Sequence, residues 1–273
     1  MSAPSAAPKS VTVRDFRLKK ERGEKLVVVS AYDALFARLS DDAGVDCVLV
    51  GDSLGNVVAG FDSTLPVTLD QMIYHGAAVR RGTSRAMVLI DMPFLTYQVS
   101  REDALRNCGR VMQETNAHGV KLEGASATVV EAVRAVTELG VPVMGHLGFT
   151  PQSVHALGGY RVQGRENDAA RRLTDDARRL EEAGAFSIVL ELLPAEIART
   201  ISEALTIPTI GIGAGSACDG QVLVLADLLG LNDRFTPKFL KRYANMADDT
   251  RNAVRKFAGE VRDGAYPDAD HSF

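Results

Sequence analysis

Residues 47–52 read CVLVGD: four apolar residues, a glycine and then an acid. The pattern returns as MVLID at 87–91, VKLE at 120–123 and SIVLE at 187–191. Short, nearly continuous apolar runs rich in β-branched residues are expected of strands covered on both faces, as in a parallel sheet flanked by helices. A carboxylate at the exit of such a strand is costly unless it meets a cation or a proton. Asp52, Asp91, Glu123 and Glu191 therefore predict one shared site.

Counted with these, the apolar runs predict eight strands, at 26–31, 47–51, 87–91, 119–123, 141–146, 186–191, 207–212 and 222–226. Amphipathic helices fit between them. Segment 33–43 sets Leu35, Phe36 and Leu39 on one stripe with Asp41 and Asp42 off it, and 168–183 sets Leu173, Ala177 and Leu180 against many charges. Gly140 and Gly184 stand where left-handed helix C-caps are expected, and Pro142 and Pro208 stand at strand entrances, where a missing N–H matters least. Thr68 with Gln71 and Ser100 with Asp103 have capping-box spacing.

Eight alternating β and α units in 273 residues favour a (β/α)8 barrel over an open doubly wound sheet, which more often runs to five or six strands. No low-complexity linker divides the chain. The expectation is one domain over residues 1–273, with 1–10 a flexible N-terminal extension. The stretches 52–67 and 147–166 are long, Gly-rich and polar, and each follows a strand. In a barrel they lie on the strands' C-terminal face, where such enzymes carry their chemistry.

Composition excludes several other classes. A net charge of -4 without a Lys/Arg cluster gives no footprint for nucleic acid. Cys47, Cys108 and Cys218 are far apart and lack CxxC spacing, so neither a disulfide framework nor a zinc cluster is indicated. The opening MSAPSAAPKS has no apolar core of a secretory signal, and no apolar stretch has the length of a membrane span. A soluble, cytoplasmic protein is expected.

The four acids fall on strands two, three, four and six at the same face, separated by one, one and two βα repeats. Two unit charges about 4 Å apart repel by ~4 kcal/mol at an effective dielectric near 20, so something positive should sit among them. Oxygen ligands without a matching set of His and Cys suit a hard cation, and sparse carboxylates suit Mg²⁺ better than a Ca²⁺ cage. Asp52, Asp91 and Glu123 come from adjacent strands and form the natural metal group, which leaves Glu191 for acid/base work. Lys121 shares a strand side with Glu123; pairing with a carboxylate and use on an anionic substrate are its two readings, and here they are compatible. His146, ending strand five, is either a neutral rim imidazole or a catalytic one. Ser53 could serve a substrate carboxylate or cap a loop, and Tyr32 at the end of strand one has a similarly double reading. GIGAGS at 211–216 invites a phosphate reading, but a dinucleotide turn belongs to the first βα unit and this one follows the seventh strand.

The segments VGDSLGNVVAGFDSTLPVTLDQM, DMPF, VKLEG, GHLGFTPQSVHALGGYRVQGR, LELLP and IPTIGIGAG, with the tail GAYPDADHSF, give the chain a resemblance to the ketopantoate (3-methyl-2-oxobutanoate) hydroxymethyltransferase family of pantothenate biosynthesis. The resemblance runs from about Val11 to Phe273. It implies a barrel of the phosphoenolpyruvate/pyruvate superfamily type, and transfer of a one-carbon unit from 5,10-methylenetetrahydrofolate to 3-methyl-2-oxobutanoate through a metal-stabilised enolate. It further implies Asp52, Asp91 and Glu123 at Mg²⁺, with Asp52, Ser53, Asp91 and Lys121 at the 2-oxo acid and Glu191 as proton acceptor. Bacterial members of this family form decamers, so a homo-oligomer is implied. The alternative within the superfamily is a carbon–carbon lyase or a phosphonopyruvate-type mutase. Lyases of that group usually carry a reactive loop cysteine, whereas here Cys47 and Cys108 read as strand-core and helix residues and Cys218 as a loop thiol.

Overall fold

Eight parallel strands form the centre of the computed structural model, which describes residues 9–234 and 236–273. They are β1 (Leu26–Ser30), β2 (Cys47–Val50), β3 (Met87–Asp91), β4 (Gly119–Glu123), β5 (Val143–Gly148), β6 (Ser187–Glu191), β7 (Thr209–Ile212) and β8 (Gly220–Val224). Each pairs with the next in chain order and the sheet closes into a barrel. Where last meets first, the Leu26 N–H donates to Asp219 O at 2.9 Å.

Every strand overlaps a predicted run, and the offsets have local causes. β5 and β7 begin immediately after Pro142 and Pro208, because proline offers its carbonyl to the ladder but no N–H. β8 begins at Gly220, ahead of the apolar residues that mark it in the sequence. A Cβ there would lie 2.6 Å from Leu26 O, so closure of the barrel against β1 requires glycine.

The helices are α1 (Val13–Glu21), α2 (Ala34–Asp42), α3 (Leu54–Val57), α4 (Leu69–Gly82), α5 (Arg101–Thr115), α6 (Ala127–Glu138), α7 (Asn167–Glu182), α8 (Ala195–Ala204), α9 (Leu225–Leu228) and α10 (Met246–Arg262). α4 starts with the expected capping box of Thr68 and Gln71. At α5, the Ser100 hydroxyl accepts from the Asp103 N–H and donates back to the Asp103 carboxylate. Gly140 and Gly184 take the left-handed conformation just past α6 and α7.

α2 corrects the predicted stripe. Leu35 and Leu39 are 58% and 49% exposed, and the face turned inward carries Ala37, Ser40 and Asp41. Asp41 can be buried because its carboxylate accepts the backbone N–H groups of Ser84, Arg85 and Ala86 and the Ser84 hydroxyl. That ordered turn leads into β3. Fully partnered, an acid can occupy a face that leucines would otherwise fill.

Inside the barrel, Leu26, Val28, Cys47, Leu49, Met87, Leu89, Met144, Val189, Ile210 and Val222 form one apolar cluster with Val11 and Phe16. Because alternate residues of a strand face one side, the strands' first inward positions build this plug and their last inward positions stand above it. Phe16, on α1, meets Phe186 edge-on at 5.4 Å between ring centres, so α1 seals the end away from the long loops. Of those loops, 52–67 contains the short helix α3 and 147–166 a 3-10 turn at Pro151–Ser153.

Two compact units are distinguished along the chain, Met1–Leu223 and Val224–Phe273. The second contains α9 and α10, where the Tyr243 and Met246 N–H groups donate to Leu228 O and Leu229 O. The predicted N-terminal extension, residues 1–10, lies outside the described residues except for Lys9 and Ser10, which are exposed. No helix among the described residues is long and apolar enough to cross a membrane.

Candidate functional site

Above the apolar plug the inward positions turn ionisable. On β3 Leu89 is followed at the next inward position by Asp91, on β5 Met144 by His146 and on β6 Val189 by Glu191, while β4 presents Lys121 and Glu123. Parallel register sets these residues side by side: Asp91 opposite Lys121, and Glu123 opposite His146. Asp52 comes from the turn after β2, and its N–H donates to Asp91 Oδ2 at 3.1 Å. Asp52, Asp91 and Glu123 each offer an oxygen, all within 4.8 Å of one another.

Lys121 runs through this cluster. Its Nζ is 2.7 Å from Asp91 Oδ1 and 3.5 Å from Glu123 Oε1, and the side chain is only 4% exposed. It is therefore paired with carboxylates, one of its two compatible readings. His146 stands on the other side of Glu123, with Nδ1 3.3 Å from Glu123 Oε1 and Nε2 3.3 Å from Glu191 Oε2. Glu191 thus faces the far nitrogen of His146, at the rim, and its side chain is 17% exposed.

The electrostatics show a surplus of buried negative charge. Burial, together with the Glu123 and Asp91 carboxylates, holds Asp52 well above the usual carboxylate range, with Lys121 and Gln152 opposing. Asp91 is also pushed up, by burial and by Glu123, against the pull of Lys121. Burial acts on Glu123 in the same direction, but Lys121 and His146 overcome it and bring the carboxyl down to about 2. For His146, burial and Lys121 disfavour the charged ring, yet Glu123 and Glu191 outweigh them and raise it to about 9. The two carboxylates thus favour the charged ring, while Lys121 Nζ, 3.3 Å from His146 Nδ1, opposes it. Two carboxyls forced upward in an all-oxygen donor set are the condition a hard divalent cation relieves, so these residues fit the expected metal.

Two site residues were not predicted. Gln152, in the 3-10 turn after β5, donates from Nε2 to Asp52 Oδ2 at 2.9 Å, and its backbone N–H donates to Glu123 Oε2 at 3.1 Å. Tyr97 is fully buried, and its hydroxyl accepts from the Glu123 N–H at 2.9 Å and donates to Gln152 Oε1 at 2.9 Å. Neither lies in a strand, so period-two reading passes over both. The available signal was position: each sits in a segment that leaves a strand C-terminus.

Ser53 and Tyr32 are brought to the same rim. The Ser53 and Tyr32 hydroxyls are 2.8 Å apart, and Tyr32 and Ser30 are linked at 3.2 Å. A Cβ on Gly51 would fall 2.7 Å from Ser53 Oγ and 3.5 Å from Asp91 Oδ2, so glycine lets this turn fold tightly against the acids. Among the 211–216 glycines, Gly215 has a packing role, since a Cβ there would meet that of Ala195 at 2.5 Å. All three cysteines are buried, Cys218 included, and burial pushes the Cys108 thiol up to about 12 and Cys47 and Cys218 upward as well. None has the exposed, low-pKa character of a nucleophile.

A sequence-family model described as ketopantoate hydroxymethyltransferase matches residues 10–269. Among curated relatives, the 3-methyl-2-oxobutanoate hydroxymethyltransferase of Syntrophus aciditrophicus (strain SB) is 54% identical over 273 residues and covers all of both chains. That of Anaeromyxobacter sp. (strain Fw109-5) is 55% identical over 277 residues, covering 100% of this chain and 90% of the relative. The structure also resembles a 2,3-dimethylmalate lyase described as a PEP mutase/isocitrate lyase superfamily member, with a TM-score of 0.59 and 16% identity over 96% of this chain and 91% of that one. A phosphonopyruvate hydrolase gives a TM-score of 0.61 and 14% identity, again covering 96% and 91%. These two likenesses concern the fold.

Proposed function

This chain belongs to the ketopantoate hydroxymethyltransferase family, and on that premise we propose that it transfers a hydroxymethyl group from 5,10-methylenetetrahydrofolate to 3-methyl-2-oxobutanoate, with Glu191 as the base. The observation that carries the reading is the division of the acids. Asp52, Asp91 and Glu123 converge within 4.8 Å, whereas Glu191 meets the cluster through His146 and opens to the rim.

The three converging carboxylates are the group that would hold Mg²⁺. When bound, such a cation supplies Lewis-acid stabilisation of negative charge on the oxygens of a 2-oxo acid. Lys121 adds a fixed positive charge beside the same oxygens. Glu191 removes the proton from C3 of the oxo acid, and the resulting enolate carbon forms its new bond to the folate-borne methylene. Both carbon–nitrogen bonds of the methylene bridge break in the transfer: the first as the carbon–carbon bond forms, its electron pair staying on nitrogen and taking up the C3 proton, and the second as water gives its hydroxyl to the methylene and its proton to the other nitrogen, leaving ketopantoate and tetrahydrofolate. His146, shared between Glu123 and Glu191, fixes the orientation of the base. Ser53, joined to Tyr32, is the hydroxyl that would meet the substrate's carboxylate end.

The test is exchange of the C3 proton of 3-methyl-2-oxobutanoate in D₂O with Mg²⁺ and no folate. The unaltered protein should catalyse exchange, and Glu191→Gln should abolish it while leaving Mg²⁺ binding nearly intact. Absence of exchange in the unaltered protein would reject the enolate route.

A further inference from the structure

Gln152 is 6% exposed although it belongs to a loop, and all four hydrogen-bonding positions of its side-chain amide are in use. Nε2 donates to Asp52 Oδ2 and to Met92 O, each at 2.9 Å. Oε1 accepts from the Tyr97 hydroxyl at 2.9 Å and from Gln98 Nε2 at 3.0 Å. The Met92 carbonyl can only accept, so it decides which end of the amide is the NH₂. With its backbone N–H on Glu123 Oε2, this one residue grips two of the three converging acids from outside the strands that carry them.

The choice of an amide has a chemical consequence. A lysine in this place would fix Asp52 but also neutralise it; an amide donor fixes the carboxylate's rotation and leaves its charge for a cation. Tyr97 completes the arrangement, since the hydroxyl that donates to Gln152 also receives the Glu123 N–H.

We propose that Gln152 is a positioning residue of the cation site, orienting Asp52 and Glu123 from the loop after β5, with Tyr97 locking its amide. The proposal rests on the reading of Asp52, Asp91 and Glu123 as cation ligands.

Calorimetric titration of the full-length, metal-stripped protein with Mg²⁺ tests it without recourse to activity. Outer-shell partners of metal ligands typically govern affinity by about 10–100-fold, and Gln152→Met should weaken Mg²⁺ binding by that factor. Tyr97→Phe, which keeps the buried ring, should weaken it less, and the double variant by less than the product of the two, because Tyr97 acts through Gln152. A purely structural role would lower the melting temperature and leave the dissociation constant in place. Dissociation constants within about twofold of the unaltered protein in both single variants, a difference well under 1 kcal/mol, would overturn the proposal. Should Gln152→Met fail to fold, Tyr97→Phe decides by the same threshold. If the unaltered protein binds no Mg²⁺, the cation reading of the three acids itself is lost, and the proposal with it.

Discussion

Nε2 of His146 lies 3.3 Å from Oε2 of Glu191. The opposite nitrogen of the ring is the same distance from Glu123 Oε1, so one buried imidazole ring separates the proposed base from the three acids that converge within 4.8 Å of one another. Two carboxylates that would repel in direct contact are kept apart by the ring between them.

His146→Gln removes that link while leaving a polar side chain of similar reach. Turnover should fall by roughly 10²-fold, the lower range for mispositioned acid/base groups, with C3 exchange falling in parallel. Mg²⁺ affinity should change far less. Steady-state kinetics with exchange rates would decide; loss of Mg²⁺ binding with exchange preserved would refute this role.

Lys121→Met keeps the length of the side chain and deletes its charge among Asp91, Glu123 and Asp52. Breaking a buried ion pair by removing one partner typically costs about 3–5 kcal/mol, and the metal-free variant should lose stability on that scale in urea unfolding. Added Mg²⁺ should restore part of it. Unfolding identical to that of the unaltered protein would show that Lys121 is not the counter-ion of the site.

Asp52→Ala and Asp91→Ala should abolish stabilisation by Mg²⁺. Ligand linkage predicts about 2.7 kcal/mol at a hundredfold excess over the dissociation constant in the unaltered protein. Melting curves with and without Mg²⁺ give the comparison. A full metal-induced shift in either variant would remove that residue from the ligand set.

Asp41 tests the fold away from the site. Burial pushes its carboxyl up, but donors from Ser84, Arg85 and Ala86 more than offset this and hold it below the ordinary range. Asp41→Ala orphans these donors and should cost on the order of 3 kcal/mol at pH 6. A carboxyl depressed in the folded state contributes stability that is present above its unfolded value, near 4, and lost as pH falls through the lower folded value. The gap between variant and unaltered protein should therefore narrow in acid, and chemical denaturation at pH 6 and pH 3 reads it. An equal gap at both would deny the charge its role.

The strands were legible because most are buried on both faces and so announce themselves as apolar runs. The acids at their ends were legible because a charge at such a boundary is expensive. α2 was not read correctly. Its sequence shows leucines on one stripe and aspartates on another, and nothing local reveals that the N–H groups of residues 84–86 wait for Asp41. Gln152 and Tyr97 were missed for a similar reason. Their partners are Asp52, Glu123 and each other, all distant in sequence, and loops carry no periodicity to mark an inward residue.

By itself the sequence determined the barrel and its strand order and marked the acids at the strand ends, since these follow from hydrophobic period and from recurrence along the chain. Only the tertiary structure decided which charges meet. Strand register put Lys121 against Asp91 and His146 against Glu123, and the loop after β5 brought Gln152 onto Asp52. The physical reason is range: burial is written into each segment, whereas a charge's partner is fixed by distances that exist only once the barrel closes.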